Sequence, residues 1–293
     1  MPALAHCACH RLRALTTLTA LLVAVPAVAD PAMWVVKTAT TEVTLFGTVH
    51  ELPAATGWLS PAIMARFDAA DSVVFETILP ENLAALGSLL QILGTDAKLK
   101  PLADRIDPPH RAVLIKTADD FKLPLTGLAH MRTWLAALTL SSLATERQGL
   151  SQADGVEATL TVRAKAARKP AIGLETPGQQ LGYFASLPES DQLALLDVVL
   201  DELPTDAADT KALLTSWQGG HPEEIAADKD LKATPALEKA LLTDRNARWA
   251  TWIEGALKRP GKVFVAVGAA HLSGDNSVLA MLAKQGVIAE RVR

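Results

Sequence analysis

Two histidines stand in matching surroundings near opposite ends of this chain. Leu45-Phe46-Gly47-Thr48-Val49-His50 and Ala266-Val267-Gly268-Ala269-Ala270-His271 each run from an apolar stretch into Gly-x-x-His. Short runs rich in Val, Leu and Phe read as buried strands. The glycine permits a tight turn and close backbone approach, and the imidazole then falls just past the strand's carboxyl end. Open α/β sheets bind their ligands in the crevice at that end. Two shorter apolar runs end in a carboxylate instead, Ser72–Phe75 before Glu76 and Ala171–Leu174 before Glu175. Brought together, His50, His271, Glu76 and Glu175 suit a divalent ion such as Mn, Co, Zn or Fe. A catalytic centre of that kind keeps one position for water and lowers its pKa toward neutrality. A carboxylate beside it then serves as general base. The chain has no HExxH, so only the fold can assemble these ligands. The plainer reading is that each histidine is a hydrogen-bonded structural residue at a strand end.

A second group lies in Leu242-Thr243-Asp244-Arg245-Asn246-Ala247-Arg248-Trp249, which opens or continues a long helix. Arg245 aimed into the crevice would stabilise an oxyanion or hold a substrate carboxylate. The alternative is a solvated helix face, or a salt bridge to Glu175 or Glu76. His110, His130 and His221 sit at turns or helix starts and read as structural or surface residues. Trp58, Trp217, Trp249 and Trp252 line a cleft or fill the core. No serine has the Gly-x-Ser-x-Gly context, and no Gly-x-Gly-x-x-Gly or Walker loop is present. Nucleotide cofactors therefore have no support.

Positioning such a site falls to strands at both ends of the chain. Met33–Lys37 and Glu42–Phe46 read as strands joined by a short polar turn. Ser60 followed by Pro61 reads as an N-cap with proline at the first helical position, opening a helix to Ala70. Between Glu81 and Lys169, four stretches have helical periodicity: 81–93, 109–121, 131–147 and 155–169. From Leu187 to Ala256 the pattern is again helical, broken near Pro204, Gly219-Gly220-His221-Pro222 and Pro235. Lys262–Val267 and Val287–Val292 read as closing strands that flank a helix from Asp275 to Lys284. The expected class is α/β, a mixed sheet with a large helical layer. Its two related halves each carry a strand–Gly-x-x-His unit, and no linker divides residues 30–293, so a single domain is expected.

His10-Arg11-Leu12-Arg13, the apolar run Ala14–Val25 and Ala27-Val28-Ala29 have the layout of a secretory signal peptide ending before Asp30. Cleavage there predicts an exported protein, in the periplasm or outside the cell, with no membrane span in the mature chain. Both cysteines, Cys7 and Cys9, would be removed. Disulfides, thiolate metal sites and cysteine nucleophiles are then excluded. Without residues 1–29, which hold Arg11 and Arg13, 26 basic residues face 32 acidic ones. An acidic balance with no basic tract argues against nucleic acid as a partner.

With these residues assembled, the chain resembles the TraB/GumN family, which includes the Tiki metalloproteases. The likeness rests on Leu45–His50, Val73-Val74-Phe75-Glu76, Gly155-Val156-Glu157, Ile172-Gly173-Leu174-Glu175-Thr176, Leu242–Asn246 and Phe264–Leu272. It implies a compact α/β fold of two related halves, and a divalent-metal hydrolase, Mn, Co or Zn, acting on a peptide or small-molecule substrate. On it, His50, His271, Glu76 and Glu175 are the ligand set, with Glu76, Glu175 and Arg245 catalytic. The family usually has Glu-Gln where this chain has Gln179-Gln180. Two further readings stay open. One is a metal-free His/Glu hydrolase resembling erythromycin esterases; the other is a protein that binds a ligand without turnover.

Overall fold

The computed structural model describes residues 30–80, 82–203, 206–225 and 235–292. The expected signal segment 1–29, the helix start at Glu81 and the break at Pro204 lie outside the described residues. The strands, in chain order, are β1 (Met33–Lys37), β2 (Thr41–Thr48), β3 (Leu52–Pro53), β4 (Ser72–Thr77), β5 (Leu150–Ser151), β6 (Ala171–Glu175), β7 (Gly261–Gly268) and β8 (Glu290–Arg291). Six of them form one sheet in the order β6-β4-β7-β2-β1-β8. The four strands from β6 to β2 are mutually parallel, whereas β1 is antiparallel to both β2 and β8. β3 and β5 pair separately, as a small antiparallel ladder.

Side-chain alternation sets the layers. Phe46, Val73, Phe75, Phe264 and Ala266 face one side and pack on Ile63 and Phe67 of the helix Pro61–Ala69. Val43, Leu45, Val74, Val265 and Val267 face the other side. They pack on Trp249 and Ile253 of the helix Asp244–Leu257, and on Val278 and Leu282 of the helix Val278–Lys284. Buried on both faces, β2, β4 and β7 read as near-continuous apolar runs, as central parallel strands must. A third cluster, with Leu114, Leu140, Leu196 and Leu200 at its centre, joins the helices Pro108–Asp120, Thr133–Arg147 and Glu189–Glu202.

The two halves are related as expected. β2 leads through the helix Pro61–Ala69 to β4, and β7 leads through the helix Val278–Lys284 to β8. Each pair of strands runs in one direction, and the two helices cover opposite faces. Ser60 Oγ accepts from the Ile63 N–H at 3.3 Å with Pro61 at the first turn, the cap read from the sequence. The final helix starts later than expected because Ser277, not Asp275, supplies its cap. The expected strand 287–292 shrinks to Glu290–Arg291, which pairs with β1 over two residues only.

Phe264 packs between Phe46, tilted at 5.8 Å between ring centroids, and Phe67, edge-on at 5.6 Å. Phe264→Ala is expected to lower unfolding free energy by about 3–5 kcal/mol, read from urea denaturation followed by circular dichroism.

Candidate active site

The parallel register puts the two histidine motifs at one level. Gly47 pairs with Val267 and Thr48 with Gly268, so β2 and β7 release their loops side by side. Gly47 lies inside β2 rather than in a turn, which corrects the turn expected there. A Cβ on Gly47 would come within 3.2 Å of Ala269 Cα, so glycine lets the second motif approach closely without displacement. The Gly268 position is tighter in another sense. A Cβ there would lie 3.1 Å from Glu76 Oε1, 3.5 Å from His271 Cδ2 and 3.6 Å from His50 Nε2. Two imidazoles and one carboxylate, drawn from β4 and from the loops after β2 and β7, therefore converge on Gly268.

Arg245 organises the other side of this convergence. Its Nε donates to Glu175 Oε1 and Oε2 at 3.0 and 3.1 Å. Its Nη2 donates to Glu76 Oε2 at 2.7 Å and Glu175 Oε2 at 2.8 Å, and its Nη1 to the Leu241 carbonyl at 3.1 Å. The same Nη1 lies 3.2 Å from His271 Nε2. Glu76, Glu175, Arg245, Asn246 and His271 are all buried. Of the alternatives for Arg245, the salt bridge holds, and to both carboxylates at once. A π-helical segment, Lys239–Thr243, immediately precedes the helix of Arg245, and its Leu241 carbonyl accepts from the guanidinium. Such bulges are frequent at functional sites. Trp249 lies under both groups, 4.7 Å from the Arg245 guanidinium carbon and 4.3 Å from the His271 ring.

The two histidines have different supports. Asn246 Nδ2 donates to the Asn276 carbonyl at 2.8 Å, which aims its Oδ1 at His271 Nδ1, 2.6 Å away. His271 therefore carries its proton on Nδ1 and presents the Nε2 lone pair. Burial pushes its pKa down to about 4, and the charges of Arg245 and His50 add to this against the opposing pull of Glu76. His50 Nδ1 instead faces Glu157 Oε1 at 2.9 Å, and Thr48 Oγ1 donates to the same oxygen. Desolvation works to lower the His50 pKa, but the hydrogen bond and charge of Glu157, with Glu76 behind it, raise it to about 9. Because 61% of the side chain reaches solvent, the carboxylate contact rather than burial decides that direction. Burial opposes ionisation of Glu76. The surrounding His271, His50 and Arg245 and the Gly268 N–H at 2.7 Å nevertheless bring its pKa down to about 2. Among these groups, Glu76 keeps its charge near neutrality and His271 stays neutral.

Glu157 is a site residue that sequence reasoning missed, although Gly155-Val156-Glu157 carries part of the family likeness. Its helix, Val156–Ala166, docks directly on the His50 loop. The Val156 N–H donates to the Val49 carbonyl at 3.2 Å, and a Cβ on Gly155 would lie 2.0 Å from the His50 carbonyl oxygen. A glycine two residues before an acid in a helix's first turn was the available signal. Gln180 also joins the site, donating to Glu76 Oε2 at 3.1 Å, as does Tyr183, whose hydroxyl donates to Glu175 Oε1 at 3.2 Å. Gln179 serves the helix instead: it completes a capping box with Thr176, by bonds of 3.2 and 2.8 Å.

The expected ligand set His50, His271, Glu76 and Glu175 supplies imidazole and carboxylate donors, but no three of its ligand atoms lie within 4.8 Å of one another. His50 Nε2 and Glu76 Oε1 border the Gly268 position beside His271 Cδ2, whereas His271 Nε2 faces Arg245 Nη1 at 3.2 Å and Glu175 is turned to Arg245. Among the described residues, the His/Asp/Glu group whose ligand atoms all lie within 4.8 Å of one another is Asp107, His110 and Asp197, in the helical layer. His110 there reads more simply as a charged network. Its pKa is raised by the hydrogen bond to Asp107, 2.8 Å away, with Asp197 and Asp201 close by.

The fold and site together define a three-layer α/β protein with a two-histidine crevice at the carboxyl edge of its parallel strands. The profile of the TraB/PrgY/gumN family matches residues 32–291, and the chain belongs to that family. It is 30% identical over 149 residues to the uncharacterized protein YbaP of Escherichia coli (strain K12), covering 51% of this chain and 55% of that protein. The YbaP of Shigella flexneri matches to the same extent. The chain thus aligns with about half the length of these curated relatives. No solved structure matches it.

Three outcomes test this account. Arg245→Met leaves two buried carboxylates without their cation and is expected to cost about 3–5 kcal/mol in urea denaturation. Adding Glu175→Gln should recover part of that loss. Both Glu76 and His271 have folded-state pKa values below their ordinary ones, so the unfolded chain binds more protons. Stability should fall as pH drops from 6.5 through about 4 with His271, and from 4.5 through about 2 with Glu76. Urea midpoints across pH 2–8 measure this, and Glu76→Gln should flatten the acid end. Glu157→Gln should return the His50 titration, followed by NMR, toward 6.5.

Proposed function

We propose that the chain is a hydrolase whose crevice at His50, Glu76 and His271 activates water, with a divalent metal and on peptide bonds. The observation that supports it is the convergence on Gly268 of His50 Nε2, Glu76 Oε1 and the His271 ring. His50, His271 and Glu76 would hold the ion, whose contribution is Lewis acidity that makes water nucleophilic near neutrality. Asn246 keeps His271 in the tautomer whose Nε2 carries a lone pair, which an ion would have to take over from Arg245 Nη1, and Glu157 orients His50 through Nδ1. Such carboxylate or amide partners typically orient metal-ligating histidines. Arg245 has its donors engaged by Glu175, Glu76, Leu241 and His271, so it fixes the site rather than meeting substrate. Arg248, whose Nη2 lies 3.9 Å from Glu175 Oε1, is a cation at the solvent side that a substrate carboxylate or a developing oxyanion could meet. Its side chain is 51% exposed and lies over the Tyr183 ring at 5.1 Å.

A metal-free hydrolase is favoured by one observation: Arg245 already places a positive charge among Glu76, Glu175 and His271. The two readings separate by calorimetry on the chain from Asp30 onward, prepared free of metal. Stoichiometric binding of Mn, Co or Zn, abolished in His50→Ala with His271→Ala, supports the metal-dependent reading. Its affinity should weaken as pH falls, since protons compete for the imidazoles. Hydrolysis that persists in chelator, with no metal bound, supports the metal-free one. Export is part of the same proposal, on the signal-like residues 1–29, and secreted protein beginning at Asp30 by mass spectrometry would bear it out.

A further inference from the structure

The two edges of the six-stranded sheet are treated very differently. β8 is blunted in the usual way, being two residues long and carrying the charged Glu290 and Arg291, both exposed. β6 at the other edge is five residues long, with no charge before its last residue. Ala171, Ile172 and Gly173 are all exposed. The Val73 N–H donates to the Pro170 carbonyl at 2.9 Å, which fixes the parity of the strand. Pro170, Ile172 and Leu174 bond to β4, so the N–H and C=O groups of Ala171 and Gly173 point outward. Among the described residues no backbone hydrogen bond engages those outward groups. Beside them, Ile172 and Ile78 are each 39% exposed and Leu79 is 54% exposed.

This edge runs straight into the site, because the last residue of β6 is Glu175, the carboxylate that grips Arg245. We infer that β6 is the substrate-docking edge of the hydrolase proposed above, taking an extended peptide as an added strand. The inference rests on that reading for the cleavage step, but not for docking itself. Main-chain bonds to Ala171 and Gly173 would supply sequence-tolerant affinity, and Ile172, Ile78 and Leu79 a preference for apolar side chains. Strands pack about 4.8 Å apart, so a chain beside β6 lies roughly 10 Å from β4 and Glu76. About three extended residues cover that distance. The docked segment is thus a flanking stretch of a polypeptide, not the bond to be cut, and the substrate class is an unfolded or extended chain several residues long.

The test uses the chain from Asp30 onward and, as probe, fluorescein-labelled, reduced and carboxymethylated α-lactalbumin, a permanently unfolded polypeptide. Binding is measured by fluorescence anisotropy in EDTA, so that it does not depend on metal or turnover. Ala171→Pro removes only an outward N–H, at a strand position where proline is tolerated, and Ile172→Lys adds the charge that guards ordinary edges. Saturable binding by the wild type, weakened about tenfold by each variant, is the expected result. Circular dichroism and the urea midpoint confirm that the variants are folded; should Ala171→Pro not fold, Ile172→Lys decides. Absence of saturable binding, or binding that the folded variants leave unchanged, overturns the inference. Loss of the hydrolase reading would instead appear as no cleavage with edge binding intact.

Discussion

Most of the site depends on one buried cation. The Arg245 guanidinium ties β4 through Glu76, β6 through Glu175 and the loop after β7 through His271, with its own helix on the far face of the sheet. Two carboxylates placed this deep would otherwise repel each other and lose their hydration, a cost of several kcal/mol apiece. Their attraction to one planar, permanently charged group offsets that cost and fixes three elements relative to a fourth. Lysine could not do the same, because a point charge lacks the fork that engages Glu175 through both oxygens. The donors of Arg245 are thus committed to holding the fold, whereas the neighbouring Arg248 is half exposed.

The two motif histidines are alike in sequence and opposite in electrostatics. Asn246 supports His271 with a neutral acceptor inside the core, and His271 stays uncharged. Glu157 supports His50 with a carboxylate near solvent, and His50 is held protonated over the ordinary range. Two similar strand and Gly-x-x-His units thus present two imidazoles of different character beside Gly268. A pair so differentiated suits acid–base work, one imidazole carrying a proton near neutrality and the other without one.

Much of this was legible from the residues. The strand-end positions of His50, Glu76, Glu175 and His271 followed from short apolar runs that end in a polar residue. The Ser60-Pro61 cap and the layered α/β class followed from local chemistry of the same kind. The family likeness was legible in the motifs themselves, and the match over residues 32–291 agrees with it. Less legible were Glu157, Gln180 and Tyr183, each on a helix of the middle region that touches the site through a long-range contact. Their spacing along the chain carries no trace of the partner they meet.

By itself, the sequence determined which side chains end strands, because apolar alternation and a following glycine act within a few residues. It also determined the capping of helices, since a cap is satisfied by backbone N–H groups three positions away. Only the tertiary structure decided strand order, and with it that β2 and β7 lie side by side with Gly47 opposite Val267. It alone decided that Arg245 would face inward to Glu76 and Glu175 instead of solvent, an outcome the sequence left open. The physical reason is common to both: desolvated charges and paired strands take their energies from neighbours distant in the chain, and those exist only once the fold is closed.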